Sequence, residues 1–439
     1  MGKDVTKITV QFITLGCKTN IYESEAMAQL FRTAGYTICQ KGEKADVYVI
    51  NTCTVTGTGA QKSRQQIRRA RKENPDAVIA VCGCLAQTEH EKIKSLGANL
   101  VIGNKYRSQI VELVRQTAKD TILDKVEDIS KEHSYEELAI TSGQSRIRAN
   151  VKIEDGCNNF CSYCIIPYAR GPVRSRSLDS IKAEAESLAA AGYKELVLTG
   201  IHIGSFGKDK NDGKTLIDVI ETVCTVKDIL RVRLGSIEPV IITEEFVRRA
   251  QQLPALCPQF HLALQSGCDA TLKRMNRHYT TDDFRHAAQL LRTHIPDAAI
   301  TTDLMVGFPG ETEEEFNSSY NFCKEIGFSQ MHIFKYSIRE GTRAAIMENQ
   351  VPETEKDRRS HQMLTLAENM KRAFYQHYIG KPLEVILEQR DKSGLFHGNT
   401  RNYMDVLADC RANPGDICTV IPSAYQYGRL IAHEKTEGE

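Results

Sequence analysis

The chain has 439 residues, 41% hydrophobic and 26% charged, with a formal net charge of +1. The length predicts about two to four domains with real cores, and the near-neutral charge excludes nucleic-acid binding through a global positive field. No apolar run of about 18 residues predicts a transmembrane helix, and the N-terminus lacks a signal-peptide pattern. Fourteen cysteines then indicate a reducing, cytoplasmic compartment and metal or catalytic use instead of disulfides.

The N-terminal region alternates strand and helix patterns. Strands are predicted at 8–14, 46–50, 77–81 and 99–102, and helices at 22–34, 61–73 and 89–95. This order predicts an open parallel sheet with helices on both faces.

One cysteine follows each of the first three predicted strands, at Cys17, Cys53 and Cys84. Ligands of open α/β sheets bind outside the carboxyl ends of the strands, so these thiols are expected to converge on one metal site. Cys82 competes with Cys84, but Cys82 should still belong to the strand, and Cys84 is preferred. The alternative is that all three are small buried residues in strand–helix turns.

Residues 119–145 lose the periodicity and are predicted to be a linker. A second α/β series follows, with strand patterns at 149–153, 195–199, 230–234, 260–264, 299–305 and 330–336. Six strands are too few for the usual eight-unit closed barrel, so the sequence predicts a partial (β/α)6 barrel with its chemistry at the C-terminal strand ends.

Three cysteines with a CxxxCxxC spacing, Cys157, Cys161 and Cys164, open this second series. Three thiolates suit an iron–sulfur cluster whose fourth iron stays open for chemistry, whereas a structural site normally closes with four ligands. The spacing resembles that of radical S-adenosylmethionine enzymes, whose cofactor chelates the open iron. A zinc knuckle with a remote fourth ligand is the alternative.

Polar residues and glycines at the later strand ends suit an adenosyl group and a methionyl carboxylate. The candidate cofactor-binding residues are Thr199, Gly200, Ser236, Glu238, Gln265, Ser266 and Gly307. Each signal is weak alone, and Glu238 could simply cap a helix.

A long charged helix is predicted from Pro352 to Gly380, followed by five short strand patterns. Their size and pattern are typical of a small OB-like β-barrel that binds nucleic acid. Basic residues next to the two cysteine sets are candidate RNA contacts. They are Lys62, Arg64, Arg68, Arg69, Arg170, Arg174 and Arg176. Such runs on helices are otherwise ordinary solvated faces.

Nearly the whole chain resembles the methylthiotransferase family of radical S-adenosylmethionine enzymes. The resemblance lies in segments 14–20, 51–56, 82–87 and 157–164 and in a terminal segment similar to the TRAM domain. Segments 51–56, 165–171 and 174–176 look most like the bacterial threonylcarbamoyladenosine branch. Tyr168 departs from an expected tryptophan, and Cys82 adds a thiol; neither disturbs the ligand set.

The resemblance implies two 4Fe–4S clusters, an auxiliary one on Cys17, Cys53 and Cys84 and a radical one on Cys157, Cys161 and Cys164. It implies that carbon 2 of threonylcarbamoyladenosine, 3′-adjacent to the tRNA anticodon, receives a methylthio group with S-adenosylmethionine as cofactor. The expected domains are 1–118 (auxiliary cluster), 119–145 (linker), 146–375 (radical core) and 376–439 (TRAM, RNA-binding).

Other substrates and a non-catalytic function are the alternatives. Sister branches of the family modify isopentenyl-adenosine in tRNA or an aspartate of a ribosomal protein, and a metal-stabilised RNA-binding protein without catalysis is a different class. The expected partners are tRNA, an external electron donor of flavodoxin type and a sulfur source, with no membrane and a monomer by default.

Overall fold

The computed structural model describes residues 8–40, 42–55, 57–118, 121–140 and 147–436. Within these ranges the chain forms three units in sequence: an open parallel sheet, a partial barrel and a small closed barrel. No helix in this part of the chain is long and apolar enough to cross a lipid bilayer.

The first unit is a parallel sheet with the strand order β2-β1-β3-β4-β5-β6. Its strands are β1 Thr9–Thr14, β2 Thr37–Ile38, β3 Val47–Thr52, β4 Val78–Gly83, β5 Leu100–Gly103 and β6 Leu123–Asp124. Its helices are α1 Lys18–Thr33, α2 Gly57–Glu73, α3 Cys84–Thr88, α4 His90–Lys94 and α5 Ile110–Gln116. Every residue of β3 is buried because separate hydrophobic clusters cover the two faces of the sheet.

The segment predicted to be a linker instead packs on the domains that it connects. Residues 119–120 and 141–146 lie outside the described residues, but β6 adds a strand to the first sheet, which therefore extends past residue 118. Ile129, Leu138 and Ile140 are buried. Ile129 stands alone and Leu138 and Ile140 form a single pair two residues apart, too few to indicate a helix or a strand, which is why the sequence pattern missed them.

The second unit contains the elements of the partial barrel. Its strands are β7 Arg148–Lys152, β8 Glu154–Asp155, β9 Arg174–Ser175, β10 Glu195–Thr199, β11 Arg231–Leu234, β12 Ser236–Ile237, β13 Gln259–Leu262, β14 Ala299–Val306 and β15 Gln330–Lys335. Its helices are α6 Ile166–Arg170, α7 Leu178–Ala190, α8 Leu216–Cys224, α9 Glu244–Ala250, α10 Asp269–Arg274, α11 Thr281–His294, α12 Glu313–Ile326 and α13 Glu353–Gln376.

The barrel wall consists of parallel strands in two sheets, β11-β10-β7 and β12-β13-β14-β15. β11 matches the strand predicted at 230–234, and β12 continues the same run of chain after Gly235, whose N–H donates to the carbonyl of Leu198 at 2.8 Å. Counted this way, the wall has the six units that the sequence predicts. Apolar side chains on the outer face of the wall pack under the helices in the largest hydrophobic cluster.

The third unit is a closed five-stranded barrel with the order β16-β17-β18-β20-β19. Its strands are β16 Leu383–Arg390, β17 Phe396–Thr400, β18 Asp405–Asp409, β19 Ile417–Gln426 and β20 Arg429–Glu434. All pairs are antiparallel except β18 with β20. The barrel docks on the second unit through Arg231, whose guanidinium donates to the Glu384 carboxylate at 2.8 Å. The predicted small β-barrel is therefore present.

Candidate metal centres and their surroundings

The first cysteine set lies at one edge of the first sheet. Cys17 caps the start of α1 after β1, Cys53 follows β3, and Cys84 begins α3 after β4. These strands are neighbours in the sheet, so their carboxyl ends meet. Burial raises the pKa values of Cys53 and Cys84, and the charge of Cys17 raises both further, which places the three thiols in one electrostatic neighbourhood.

Two glycines allow these thiols to approach one another. Gly16 has φ +102°, and a Cβ there would lie 2.9 Å from Cβ of Cys53. Gly83 has φ +92°, and a Cβ there would lie 2.5 Å from the Thr52 carbonyl oxygen. Only glycine combines this backbone conformation with such close packing. The chain therefore builds a cradle around Cys17, Cys53 and Cys84.

Cys82 and Cys84 occupy different environments. Cys82 is fully buried among the apolar side chains between the sheet and α1, with its pKa raised by burial. The sulfur of Cys84 instead accepts a hydrogen bond from Nε of Arg170 at 3.2 Å. Cys82 is therefore a core residue, and Cys84 stays the proposed third ligand.

The second set lies on the loop between β8 and α6. The N–H of Cys164 donates to the Cys161 carbonyl at 2.9 Å, which makes a turn that brings these residues together. Nη1 of Arg277 lies 3.2 Å from the Cys161 sulfur. Burial, with smaller contributions from the other thiols of the set, raises the pKa values of Cys157 and Cys164 to about 12. Neutral thiols in such a place become thiolates when a metal binds.

A single zinc ion would need closely spaced sulfur atoms. Tetrahedral zinc with ligands at about 2.3 Å would hold its sulfurs about 3.8 Å apart. Among the residues that the structure describes, no cysteine triad brings its sulfurs within 4.8 Å of one another; the single metal-like group is His90, Glu91 and Asp124. That group also contacts Lys94, whose Nζ lies 3.1 Å from Asp124. Both cysteine sets offer thiolates, which suit an iron–sulfur cluster as well as zinc.

The two sets are neighbours across the contact between the sheet and the barrel. The charge of Cys84 is among the influences that raise the pKa of Cys164, after burial and Cys161. Asn104 bridges the two units, because its Nδ2 lies 3.6 Å from the Cys84 sulfur and donates to the Ala169 carbonyl at 2.8 Å. A small group held between them could contact both sites.

A buried ion-pair network holds this contact together. Glu23 of α1 is fully buried and binds Lys152 of β7 at 2.7 Å and the guanidinium groups of Arg107 and Arg170. Lys152 also binds Asp155 at 2.6 Å. Burial opposes ionisation of Glu23, but these cations lower its pKa far below the ordinary value. Such a network is costly to break from one side, so it fixes the two units in one arrangement.

Three of the predicted RNA contacts belong to this interior. Arg170, Arg174 and Arg176 are each at most 2% exposed. Arg170 pairs with Glu23 and donates to the Cys84 sulfur. Arg174 donates to the Pro172 carbonyl at 2.9 Å, and Arg176 pairs with Glu184. The prediction that these three bind RNA is wrong, because their donors are used inside the protein and no phosphate can reach them. Sequence spacing indicated basic residues near a metal site but not which way they face.

The other predicted contacts lie on α2. Ala60, Ser63, Ile67 and Ala70 are its buried residues, and they recur at helical spacing. The basic residues therefore lie toward solvent: Lys62, Arg68 and Arg69 are exposed, while Arg64 is half-buried and pairs with Glu89 at 3.2 Å. These four stay predicted RNA contacts.

The predicted cofactor-binding residues all lie at the C-terminal end of the barrel, but they differ in accessibility. Ser236 is exposed, and Gln265 is half-buried with φ +64°. Glu238 accepts from Asn159 at 2.9 Å and pairs with Arg277 at 2.6 Å. Burial opposes ionisation of Glu238, but the hydrogen bond from His202 and the charge of Arg277 lower its pKa to about 2. Glu238 is therefore a charged group directly beside the CxxxCxxC loop.

The remaining four predicted cofactor contacts are buried or closely packed. Thr199 and Ser266 are buried. Gly200 accepts from Thr19 Oγ1 at 3.0 Å, and a Cβ there would lie 2.7 Å from Oε2 of Glu154. A Cβ on Gly307 would lie 2.3 Å from Cγ of Lys356. This packing explains why positions 200 and 307 are glycine. Thr199, Gly200, Ser266 and Gly307 stay predicted cofactor contacts.

Sequence reasoning missed two residues that contact the thiols. Asn104 follows β5 directly, so the strand-end argument that found Cys84 would also have found it. Arg277 follows α10 without any periodic signal, and only the fold brings it to Cys161 and Glu238. Both donate N–H groups toward sulfur, which is how proteins adjust an iron–sulfur site.

Comparison with known proteins gives two matching family descriptions and several full-length relatives. Residues 9–103 match the uncharacterized protein family UPF0004, and residues 151–323 match the radical SAM superfamily. The "Threonylcarbamoyladenosine tRNA methylthiotransferase MtaB" of Bacillus subtilis (strain 168) is 44% identical over 91% of this chain and 90% of its own length. A "tRNA-2-methylthio-N(6)-dimethylallyladenosine synthase" of Caldicellulosiruptor saccharolyticus is 36% identical over 92% of this chain and 87% of its own.

Solved structures support the fold. The radical S-adenosylmethionine methyltransferase TsrM from Kitasatospora setae superposes with a TM-score of 0.58, covering 78% of this chain and 75% of its own. Only 14% of the residues are identical, so this likeness concerns architecture alone.

Proposed function

The chain belongs to the radical S-adenosylmethionine methylthiotransferases, and we propose that it adds a methylthio group to carbon 2 of N6-threonylcarbamoyladenosine beside the anticodon of tRNA. The relative from Bacillus subtilis, at 44% identity over 91% of the chain, carries that substrate in its name. The relative named for dimethylallyladenosine is less similar, at 36%. Dimethylallyl (isopentenyl) adenosine is therefore the second candidate substrate.

One observation carries the proposal: the two thiol sets face each other where the sheet meets the barrel, with Asn104 between Cys84 and the α6 backbone. A methylthiolation needs a hydrogen-abstracting site and a sulfur-holding site over the same base. Neighbouring sites on two units of one chain meet that need.

The cofactors are two 4Fe–4S clusters and S-adenosylmethionine. We assign the auxiliary cluster to Cys17, Cys53 and Cys84 and the radical cluster to Cys157, Cys161 and Cys164. When bound, these groups supply a radical, a methyl group and sulfur, which side-chain acid–base chemistry cannot provide for an unactivated C–H bond.

Side chains of the protein surround the sites proposed for these groups. Arg277 donates toward the Cys161 sulfur and pairs with Glu238, so it links the loop to the end of β12. We propose that Ser236, Glu238 and Gln265 contact S-adenosylmethionine, since Ser236 and Gln265 are accessible at the mouth and Glu238 carries charge there. A negative carboxylate suits the cofactor's amino group.

For tRNA we propose two contact surfaces. The exposed basic residues of α2 follow Cys53 by a few positions, and the closed C-terminal barrel is of the size and type that hold RNA. The target adenine has to be accessible in the anticodon loop or be extruded from its stack to reach the thiol sets. We also propose that the enzyme works in the cytoplasm with an external flavodoxin-type electron donor and a separate sulfur source.

Nucleoside mass spectrometry of bulk tRNA from cells with and without this gene tests the proposal. We expect only the methylthio form of threonylcarbamoyladenosine to disappear in the deletion strain and to return on complementation. Loss of the isopentenyl counterpart would move the enzyme to that substrate. No change in either nucleoside would refute tRNA as the substrate and leave the ribosomal protein as the candidate.

A further inference from the structure

Lys18 stands beside the auxiliary thiols at the start of α1. It is the first residue of that helix, directly after Cys17, and the next residue, Thr19, donates to the Gly200 carbonyl at 3.0 Å. That bond fixes the start of α1 on the C-terminal end of β10. Lys18 is solvent exposed, and among the described residues its ammonium makes neither a hydrogen bond nor an ion pair.

The space next to Lys18 is the interior of the partial barrel. Side chains alternate along the strands, so while Val232 and Leu262 pack under the outer helices, Arg233 and His261 lie on the inner face. Asp303 and His332 are paired residues of β14 and β15 on that inner face. His332 is exposed, so the upper part of the barrel interior is open to solvent.

The carboxylates near Lys18 already have other partners. The surrounding barrel wall lowers the pKa of Lys18 by desolvation, and the guanidinium groups of Arg233 and Arg148 lower it further. Glu195 raises it, but that carboxylate is already shared by Arg233 at 3.1 Å and Arg148 at 3.5 Å. Asp303 lies 3.4 Å from His261. Arg148 also pairs with Glu388. The carboxylates near Lys18 are therefore already paired with other basic side chains, and among the described residues none of them pairs with Lys18.

The substrate in the proposed function carries the missing anion. The threonyl part of N6-threonylcarbamoyladenosine ends in a carboxylate, whereas an isopentenyl group is apolar and uncharged. Carbon 2 and carbon 6 flank the same ring nitrogen of adenine, so when carbon 2 faces the cluster held by Cys17, the N6 substituent lies a few ångströms along the same edge. Lys18 is the residue adjacent to Cys17.

We propose that Lys18 binds the carboxylate of the threonylcarbamoyl group and so selects this nucleoside over one with an uncharged N6 substituent. The inference rests on the proposed function, because it names the side chain that reads its substrate. An ion pair between Lys18 and the substrate carboxylate, in a partly enclosed cavity, is strong enough to favour this nucleoside over one with an uncharged N6 substituent.

The test compares three anticodon stem-loop RNAs with the fully loaded holoenzyme under anaerobic conditions. They contain threonylcarbamoyladenosine, its methyl ester, or isopentenyl-adenosine. We expect the wild type to bind the acid roughly tenfold or more tighter than the ester, as for a hydrogen bond to a charged group. Lys18→Met should bind both at the level of the ester, and Lys18→Arg should keep the preference for the acid.

Two controls test the preference for the acid. The first asks whether it depends on Lys18 in particular, and the second whether Lys18 contacts the nucleoside and not the cofactor. Lys324→Met removes an exposed lysine of α12 and should leave the acid-to-ester ratio unchanged. Affinity for S-adenosylmethionine, measured without RNA, should be equal in the wild type and Lys18→Met. A weaker affinity in Lys18→Met would assign Lys18 to the cofactor's own carboxylate and overturn the proposal.

The proposal also fails if the wild type does not distinguish acid from ester, a result that requires no variant to fold. It fails equally if Lys18→Met keeps the distinction. Failure of the proposed function looks different: the wild type would then convert the isopentenyl RNA and leave the threonylcarbamoyl RNA unmodified.

Discussion

The Nε atom of Arg170 lies 3.2 Å from the sulfur of Cys84, so a residue of the barrel unit donates a hydrogen bond to a thiol of the first sheet. The same guanidinium donates to Oδ1 of Asn20 at 2.6 Å and pairs with Glu23. Burial opposes the charge, but Cys84 and Glu23 raise the pKa of Arg170 well above its ordinary value. Arg170, a residue of the barrel unit, therefore completes the surroundings of the auxiliary site in the first sheet.

Arg170→Lys should lower the reduction potential of the auxiliary cluster. The substitution keeps the positive charge but loses the planar donor to sulfur, and one hydrogen bond of about 1 kcal/mol net corresponds to roughly 40 mV for one electron. A redox titration followed by electron paramagnetic resonance measures the shift. Arg176→Lys is the matched control, since Arg176 is equally buried but pairs with Glu184. Equal shifts in both variants would show a general effect of altering a buried arginine.

Cys157→Ala and Cys17→Ala should separate the two halves of the reaction. We expect Cys157→Ala to abolish S-adenosylmethionine cleavage while roughly half the iron remains, because the other cluster is intact. Cys17→Ala should keep cleavage and lose thiolation. Cys82→Ala is the control, since Cys82 lies in the hydrophobic core. Methylthiolated product from Cys17→Ala would refute the two-cluster assignment.

Gly83→Ala should destabilise the auxiliary site. The new Cβ would lie 2.5 Å from the Thr52 carbonyl, in a backbone conformation that only glycine adopts easily. Gly35→Ala is the control because Gly35 has a similar φ of +89° with nothing within 4 Å. We expect Gly83→Ala to cost roughly 1–3 kcal/mol more free energy of unfolding than Gly35→Ala, and to lose iron. Equal costs would mean that the backbone at Gly83 moves freely.

Glu154→Gln should remove a pH dependence of stability. Burial raises the pKa of Glu154 from 4.5 to about 8, although its Oε2 accepts from the N–H of His202 at 2.8 Å. Between these values the folded protein binds a proton that the unfolded chain lacks, so this group makes the protein less stable as pH rises from about 4.5 to 8.

The test is the melting temperature at pH 6 and pH 8.5. Glu154→Gln should gain on the wild type at the higher pH, whereas Glu186→Gln, at an exposed position of α7, should follow the wild type at both. A constant difference between Glu154→Gln and the wild type would contradict the raised pKa.

Lys62→Gln with Arg68→Gln should weaken tRNA binding and its salt dependence. Removing one phosphate contact reduces the slope of log affinity against log salt by about 0.7 for single strands to 0.9 for duplex. Cleavage of S-adenosylmethionine without RNA should be unchanged. Lys182→Gln with Lys324→Gln, on outer helices of the barrel, is the matched control. An unchanged slope would exclude α2 from the RNA contact.

The sequence by itself determined the parts that depend on local pattern. Strand and helix periodicity predicted the parallel sheet, the six-unit barrel wall and the five C-terminal strands, because burial on one face imposes a period of two or of about 3.6 residues. The strand-end rule also placed Cys17, Cys53 and Cys84 at one edge, since parallel neighbours end together.

Only the tertiary structure decided which way side chains face and what they meet. Arg170 and Lys62 are both basic residues a few positions from a cysteine, yet one is buried on Cys84 and the other is exposed. Segment 121–140 looked like a linker but packs on both units. In the sequence Lys18 is an ordinary helix-start lysine, and only the fold places the start of its helix on the C-terminal end of β10. Such outcomes depend on contacts between residues far apart in sequence, which no local pattern contains.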